Sequence, residues 1–258
     1  MTKVLANFRM LFQVILSRVL HLVGLPLQTS NYRVIGQGIY TLSDAQRLTG
    51  IPGRRIRRWT RGYNFVEKGK KHFSPPVIAE TMRDLTNEPV LSFLDLIEIR
   101  FLNAFREHGV SWKAIRIAAK KAQELLSKSH PFSTKIFKTD GRTILAKFVE
   151  QTGDQVLLDL IKNQYEFEKV VSPFLYGGLE FNESDEPLRW YPLEESTSVV
   201  IDPARGFGAP IISKGGIPTK ILFKSFGSIQ SFRKVADWYE VDENSVRDAI
   251  RYEKNLTH

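Results

Sequence analysis

The chain has 258 residues, 42% of them hydrophobic and 25% charged, an ordinary balance for a soluble globular protein with room for two or three small domains at about 100–200 residues each. It contains no cysteine, which excludes disulfides, thiolate metal sites, thiol redox sensing and cysteine nucleophiles. Its formal net charge of +9 points toward a polyanionic partner only if the charge is concentrated, and it is.

Residues 1–30 form the first predicted element. Val4, Leu5, Phe8, Leu11, Phe12, Ile15, Leu16, Val19, Leu20, Leu22 and Val23 make an apolar stretch interrupted by Arg9, Arg18 and His21. Two arginines near the middle weigh against a spanning helix, and no small-residue cleavage site follows Gly24. The stretch reads as an amphipathic helix packing on the body or on a partner chain, with membrane association and an upstream start codon as the open alternatives.

The densest signal runs from Tyr40 to Tyr63 and reads as helix, tight turn and second helix. Thr41 or Ser43 caps the first helix, and Leu42, Ala45 and Leu48 give it one apolar face. Gly50 suits a left-handed helix end, and Pro52 suits the first turn of the next helix. There Ile56 and Trp59 point inward, while Arg54, Arg55, Arg57, Arg58 and Arg61 surround them with no acid among them. A solvated helix face normally mixes signs, and arginine grips guanine edges or phosphate with two hydrogen bonds. This is a helix-turn-helix whose second helix is expected to meet DNA.

The alternation that follows flanks a Lys68-Gly69-Lys70-Lys71 tip and predicts a hairpin, the wing of a winged helix. Lys68, Lys70 and Lys71 would meet phosphate, which positions a protein without reading sequence. The bland alternative is a solvated turn. Nine bases and two acids give residues 40–76 a net +7, whereas residues 77–198 are −4 and residues 199–258 are +2. Downstream, Leu91, Leu94, Ile97, Phe101, Leu102 and Phe105 keep helical spacing up to Gly109, and Ser111 caps a helix over 112–126 with Ile115, Ala118, Ala119 and Ala122 inside. Trp112 is expected to pack.

Residues 129–197 read as a mixed α/β linker or dimerisation region. Thr134–Phe137 and Arg142–Leu145 around Asp140-Gly141 predict a hairpin, since Asp-Gly favours the turn that matches strand twist. Val156–Val170 reads as helix, and Leu179–Phe181 and Leu188–Pro192 as strands around an acidic loop. From residue 198 a compact unit begins. Two short strands lead to a helix capped at Thr219, a second capped at Ser228 with Phe232, Val235 and Trp238 inward, and a third capped at Asp242 with Val246, Ile250 and Leu256 inward.

The order of parts over residues 40–126, with Phe93-Leu-Asp-Leu-Ile-Glu-Ile-Arg100 and His108-Gly-Val-Ser-Trp-Lys-Ala-Ile115, resembles the MerR-type DNA-binding domain. That family's dimerising coiled coil and effector domain have no counterpart here. The C-terminal motifs Asp202-Pro203, Gly208-Ala-Pro-Ile-Ile212 and Ile217-Pro218 resemble the small VapB-type antitoxin domain, with Gly215-Gly216 replacing its usual Thr-Arg. Joined, the two segments, roughly 40–126 and 198–255, resemble the long two-domain VapB antitoxins.

The expected fold class is therefore mostly α with short strands. It comprises a winged helix-turn-helix over 31–128, a mixed α/β middle over 129–197, and a small domain over 198–258 of short strands and a three-helix, helix-turn-helix-like unit. The resemblance implies a dimeric cytoplasmic, nucleoid-associated antitoxin of a type II toxin–antitoxin pair that binds operator DNA, represses its own operon and neutralises a PIN-type ribonuclease. The expected DNA-binding residues are Thr41, Ser43, Arg54, Arg55, Arg57, Arg58, Arg61, Lys68, Lys70 and Lys71. Phe207 and Tyr252 are the candidate toxin-binding anchors. The three C-terminal helices are a second candidate DNA reader, but their stretch carries less charge. A free-standing transcription regulator is the alternative. No Ser/His/Asp order, metal-ligand cluster or phosphate-cradling loop is apparent, so neither metal, cofactor nor enzymatic activity is expected.

Overall fold

The computed structural model describes residues 36–78, 89–153, 155–162 and 177–256. The apolar segment 1–30 lies outside them, as does the end of the helix expected over 156–170.

Most of the described secondary structure is helical, with short strands between. β1 (Tyr40–Thr41) leads into α1 (Leu42–Thr49), then α2 (Gly53–Arg61) and a hairpin of β2 (Tyr63–Glu67) and β3 (Lys70–Ser74). β4 (Val90–Leu91) pairs antiparallel with β1 and precedes α3 (Phe93–Glu107) and α4 (Trp112–Leu126). Local chemistry places these boundaries. Thr41 and Asp44 form a reciprocal capping box on α1, Ser92 and Asp95 form another on α3, and Ser111 caps α4.

The Asp140-Gly141 hairpin is not formed. The chain continues instead as one helix, α5 (Lys135–Thr152). Phe137, Gly141, Leu145 and Val149 recur every four residues, and that period outweighs the turn signal of a single dipeptide. Gly141 has a packing role, because a Cβ there would lie 2.8 Å from the Phe137 ring. Phe137 in turn meets Phe101 and Phe132 edge-on at 5.1 and 5.0 Å, while Phe101 and Phe132 stack at 4.3 Å. Each ring buried in this way contributes roughly 1.5–3 kcal/mol. α6 (Gln155–Lys162) follows.

β5 (Leu179–Phe181), β6 (Pro187–Trp190), β7 (Val199–Ile201) and β8 (Pro210–Ile212) form an antiparallel sheet in sequence order. The chain ends in α7 (Thr219–Ile229), α8 (Phe232–Tyr239) and α9 (Glu243–Asn255). Three details of this unit differ from the sequence expectation. Thr219 opens α7 but does not cap it; its buried hydroxyl donates to Glu253 Oε1 at 2.5 Å and to the Pro210 carbonyl at 3.3 Å. α7 runs through Ser228 and stops at left-handed Gln230, so Ser231 is the residue that caps α8. Trp238 points outward, 77% exposed, because Val235 and Ala236 fill the inner face of α8. Asp242 caps α9 as expected.

Two apolar cores result. The larger joins α1–α5 and draws in Phe132, Phe137, Leu145, Leu179 and Trp190 from the middle of the chain. The smaller gathers Val199, Ile212, Leu222, Val235, Val246 and Ile250, and Leu256 packs against both. No described helix is long and apolar enough to cross a membrane.

Candidate nucleic-acid interface

The turn between α1 and α2 is built from its own residues. Gly50 ends α1 in the left-handed region (φ 72°), and its N–H donates to the Gln46 carbonyl. The Gln46 side chain then reaches across the turn, its Oε1 accepting from the Gly53 N–H at 2.8 Å, and so caps the start of α2. Ile56 and Trp59 are buried, which fixes the rotation of α2 and leaves Arg54, Arg55, Arg57 and Arg58 exposed and Arg61 half-buried. Arg55 donates to Asn103 Oδ1 at 3.2 Å, and the Arg58 guanidinium lies 5.0 Å from the centre of the Tyr63 ring.

The hairpin leaves α2 directly. A Cβ at Gly62 (φ 74°) would come within 2.5 Å of the Ser74 carbonyl, so only glycine lets the two strands close beside the end of α2. At the tip Lys68 and Gly69 have φ of 50° and 77°, the two positive values a tight primed turn needs. Lys68, Lys70 and Lys71 are all exposed. Arg116 from α4 secures the base, donating to Ser74 Oγ at 2.6 Å and to the Pro75 carbonyl at 3.1 Å. The hairpin also shows apolar surface, with Val66 68% exposed and Phe73 58%.

Of the expected DNA-facing residues, Ser43 and the arginine and lysine side chains other than half-buried Arg61 are therefore exposed on α1, α2 and the hairpin. Thr41 is engaged in the α1 capping box through its bonds to Asp44. The two candidate anchors of the C-terminal unit separate: Phe207 is 40% exposed, whereas Tyr252 is 4% exposed and lies in the smaller core, a packing residue as placed. Burial pushes the Tyr252 hydroxyl well above the usual phenol range. The Gly206-Phe207-Gly208 turn contacts the first unit directly. Ile39 N–H donates to the Phe207 carbonyl, and the Tyr40 hydroxyl donates to the Gly208 carbonyl at 3.0 Å. A Cβ at Gly208 would overlap that hydroxyl.

One cluster was missed from sequence. His130 Nε2 lies 2.8 Å from Asp95 Oδ1, and its Nδ1 lies 3.0 Å from Ser129 Oγ. Glu98 is buried beside them, with Oε2 unpaired among the described residues. Burial pushes the Glu98 carboxyl up to about 7, against the pull of His130 and of backbone bonds from Phe132 and Ser133. Burial lowers His130, but its bond to Asp95 and the charges of Glu98, Asp95 and Glu186 outweigh this and raise it. The available signal was two acids, Asp95 and Glu98, set inside an apolar helical run. Among the described residues no group of three or more His, Asp or Glu is arranged to hold a metal ion.

A family model described as "Putative DNA-binding HTH domain" matches residues 38–119, the region from β1 into α4. A curated protein of Mycobacterium tuberculosis named "Putative antitoxin VapB45" is 26% identical over 224 residues, spanning 82% of this chain and 92% of its own. Over most of its length, the chain resembles a VapB-type antitoxin. The X-ray crystal structure of Rv2018 from Mycobacterium tuberculosis shares the fold of this chain, with a TM-score of 0.61 at 24% identity, covering 82% of this chain and 96% of that one. The N-terminal part of the chain is a helix-turn-helix domain.

Proposed function

We propose that the chain is an antitoxin that binds operator DNA through α2 and neutralises a ribonuclease partner through its C-terminal unit. The observation that carries the DNA half is the acid-free, exposed arginine surface of α2, held rigid by the Gln46 cap and by buried Ile56 and Trp59. Arg54 and Arg57 read base edges in the major groove, and the hairpin acts as a wing whose lysines meet phosphate. In that reading residues 31–128 are the winged, MerR-like reader and residues 198–258 the toxin-binding unit. The middle region, 129–197, brings two copies together on paired half-sites, so that the protein represses its own operon in the cytoplasm. It acts by binding, without a cofactor or catalysis of its own.

The toxin half rests on the likeness to an antitoxin along most of the chain. The exposed apolar side chains of the C-terminal unit, Trp238 together with Phe207, Ile221 and Ile229, supply the contact surface. The partner class is a PIN-type nuclease. The test is co-expression with any small nuclease encoded beside this gene. Co-purification of the two and rescue of growth support the reading. A nuclease that stays toxic and unbound, while operator DNA is still bound, leaves a free-standing transcription regulator.

A further inference from the structure

Between α2, the base of the hairpin and the α3–α4 corner lies a cleft of about 360 Å³, lined by Arg55, Arg58 and Arg106, by Trp59, Tyr63 and Trp112, and by Glu107. Its walls are aromatic and packed. Trp59 and Trp112 meet edge to face at 5.5 Å, and two of the arginines lie on rings, Arg58 at 5.0 Å from the Tyr63 centroid and Arg106 at 4.8 Å from that of Trp112. Among the described residues none of the three guanidinium groups is ion-paired. Arg106 donates to the Val110 carbonyl, and Arg55 donates to Asn103, which itself bonds Glu107 at 2.7 Å.

We infer that this cleft is a phosphate site, and that Arg106, on a helix outside the helix-turn-helix, is a phosphate-binding residue. Three positive charges facing one carboxylate leave an uncompensated positive field beside the aromatic rings of Trp59, Tyr63 and Trp112. A guanidinium lying on a ring presents its N–H groups in plane at the edge, and those of Arg106 not spent on Val110 have the geometry that grips phosphate oxygens. Arg55 and Arg58 belong both to α2 and to the cleft, so a DNA strand tracked by α2 brings its phosphodiester to Arg106. This source rests on the DNA-binding reading above. Free inorganic phosphate or a nucleotide shares the chemistry.

The experiment uses the full-length chain, with Arg106→Gln, which keeps a donor for Val110, and Arg106→Lys, which keeps the charge. Melting midpoints of both close to wild type establish that the fold is intact. Operator affinity is then measured against salt. Arg106→Gln is expected to flatten the slope of log K against log salt by about 0.9, the loss of one phosphate contact, and Arg106→Lys to retain it. In a parallel arm inorganic phosphate is titrated into the protein while tryptophan fluorescence is followed. A saturable change lost in Arg106→Gln, with an unchanged DNA slope, identifies free phosphate as the source. An unchanged slope and no phosphate response overturn the site. If Arg54→Ala/Arg57→Ala still weakens operator binding in that case, the DNA-binding reading stands and only this inference fails.

Discussion

Arg47 on the first helix of the helix-turn-helix and Glu253 on the last helix of the chain, 206 positions apart, form an ion pair at 3.1 Å. Glu253 is buried and also accepts the Thr219 hydroxyl, so one carboxylate joins α1, α7 and α9. With the Tyr40–Gly208 bond, this ties the C-terminal unit to β1 and α1 of the helix-turn-helix.

Replacing Glu253 by alanine removes the acceptor of a buried hydroxyl and the partner of Arg47. The expected cost is about 1–3 kcal/mol of unfolding free energy. Most of it comes from Thr219, which keeps only its longer bond to the Pro210 carbonyl, because the Arg47 side chain is 31% exposed and its share is screened by solvent. Urea titration checks this, and Glu253→Gln, which still accepts from Thr219, should lose less. Equal stability of all three proteins would show that the joint is idle.

The Asp95–Glu98–His130 cluster makes stability depend on pH in one direction. Glu98 and His130 both have folded pKa values raised above their unfolded ones, so the folded state binds more protons than the unfolded state. The stabilising contribution is complete below the unfolded carboxylate value. Glu98 loses its part as pH rises from about 4.5 through about 7, and His130 loses its part as pH rises through its raised value. Melting midpoints should therefore fall between pH 5 and pH 8, and Glu98→Gln should flatten the profile and gain most at the alkaline end. A midpoint that rises over this interval would contradict the cluster.

Trp238 should matter to the partner and not to the fold. Trp238→Ala is expected to change stability by no more than about 0.5 kcal/mol, as for surface residues generally. It should weaken nuclease binding by about 2 kcal/mol or more, as for a buried interface aromatic. Calorimetry with the co-expressed nuclease measures both quantities. A variant that binds as tightly as the parent removes Trp238 from the interface.

The hairpin lysines should act without regard to sequence. Replacing Lys68, Lys70 and Lys71 together by alanine is expected to weaken operator and unrelated DNA alike, and to lower the salt slope by as many units as phosphates lost, at about 0.9 each. Titrations on both DNAs at three salt concentrations decide this. Loss confined to the operator would mean that the tip reads bases.

How much of this was legible in the sequence follows from the range of each signal. The α1–turn–α2 unit was readable because its determinants lie within a few residues: Thr41, Gly50, Pro52 and the spacing of Ile56 and Trp59. The caps at Ser111 and Asp242 are equally local. The Asp140-Gly141 dipeptide misled because Gly141 serves the Phe137 ring, a need created by Phe101 and Phe132 elsewhere in the chain. Trp238 was misplaced because its spacing from Val235 fits an inner face that Val235 and Ala236 already fill. The His130 cluster and the Arg47–Glu253 pair depend on tertiary approach across 35 and 206 positions and leave no periodic trace.

If α2 reads DNA, fluorescence anisotropy of the full-length chain on the DNA upstream of its own gene, wild type against Arg54→Ala/Arg57→Ala, will show it. Each lost base contact is worth about 1–3 kcal/mol, so the double variant should bind this DNA at least about tenfold more weakly while its affinity for unrelated DNA changes much less. Equal affinity of the two proteins for the upstream DNA, with both folded, would contradict it.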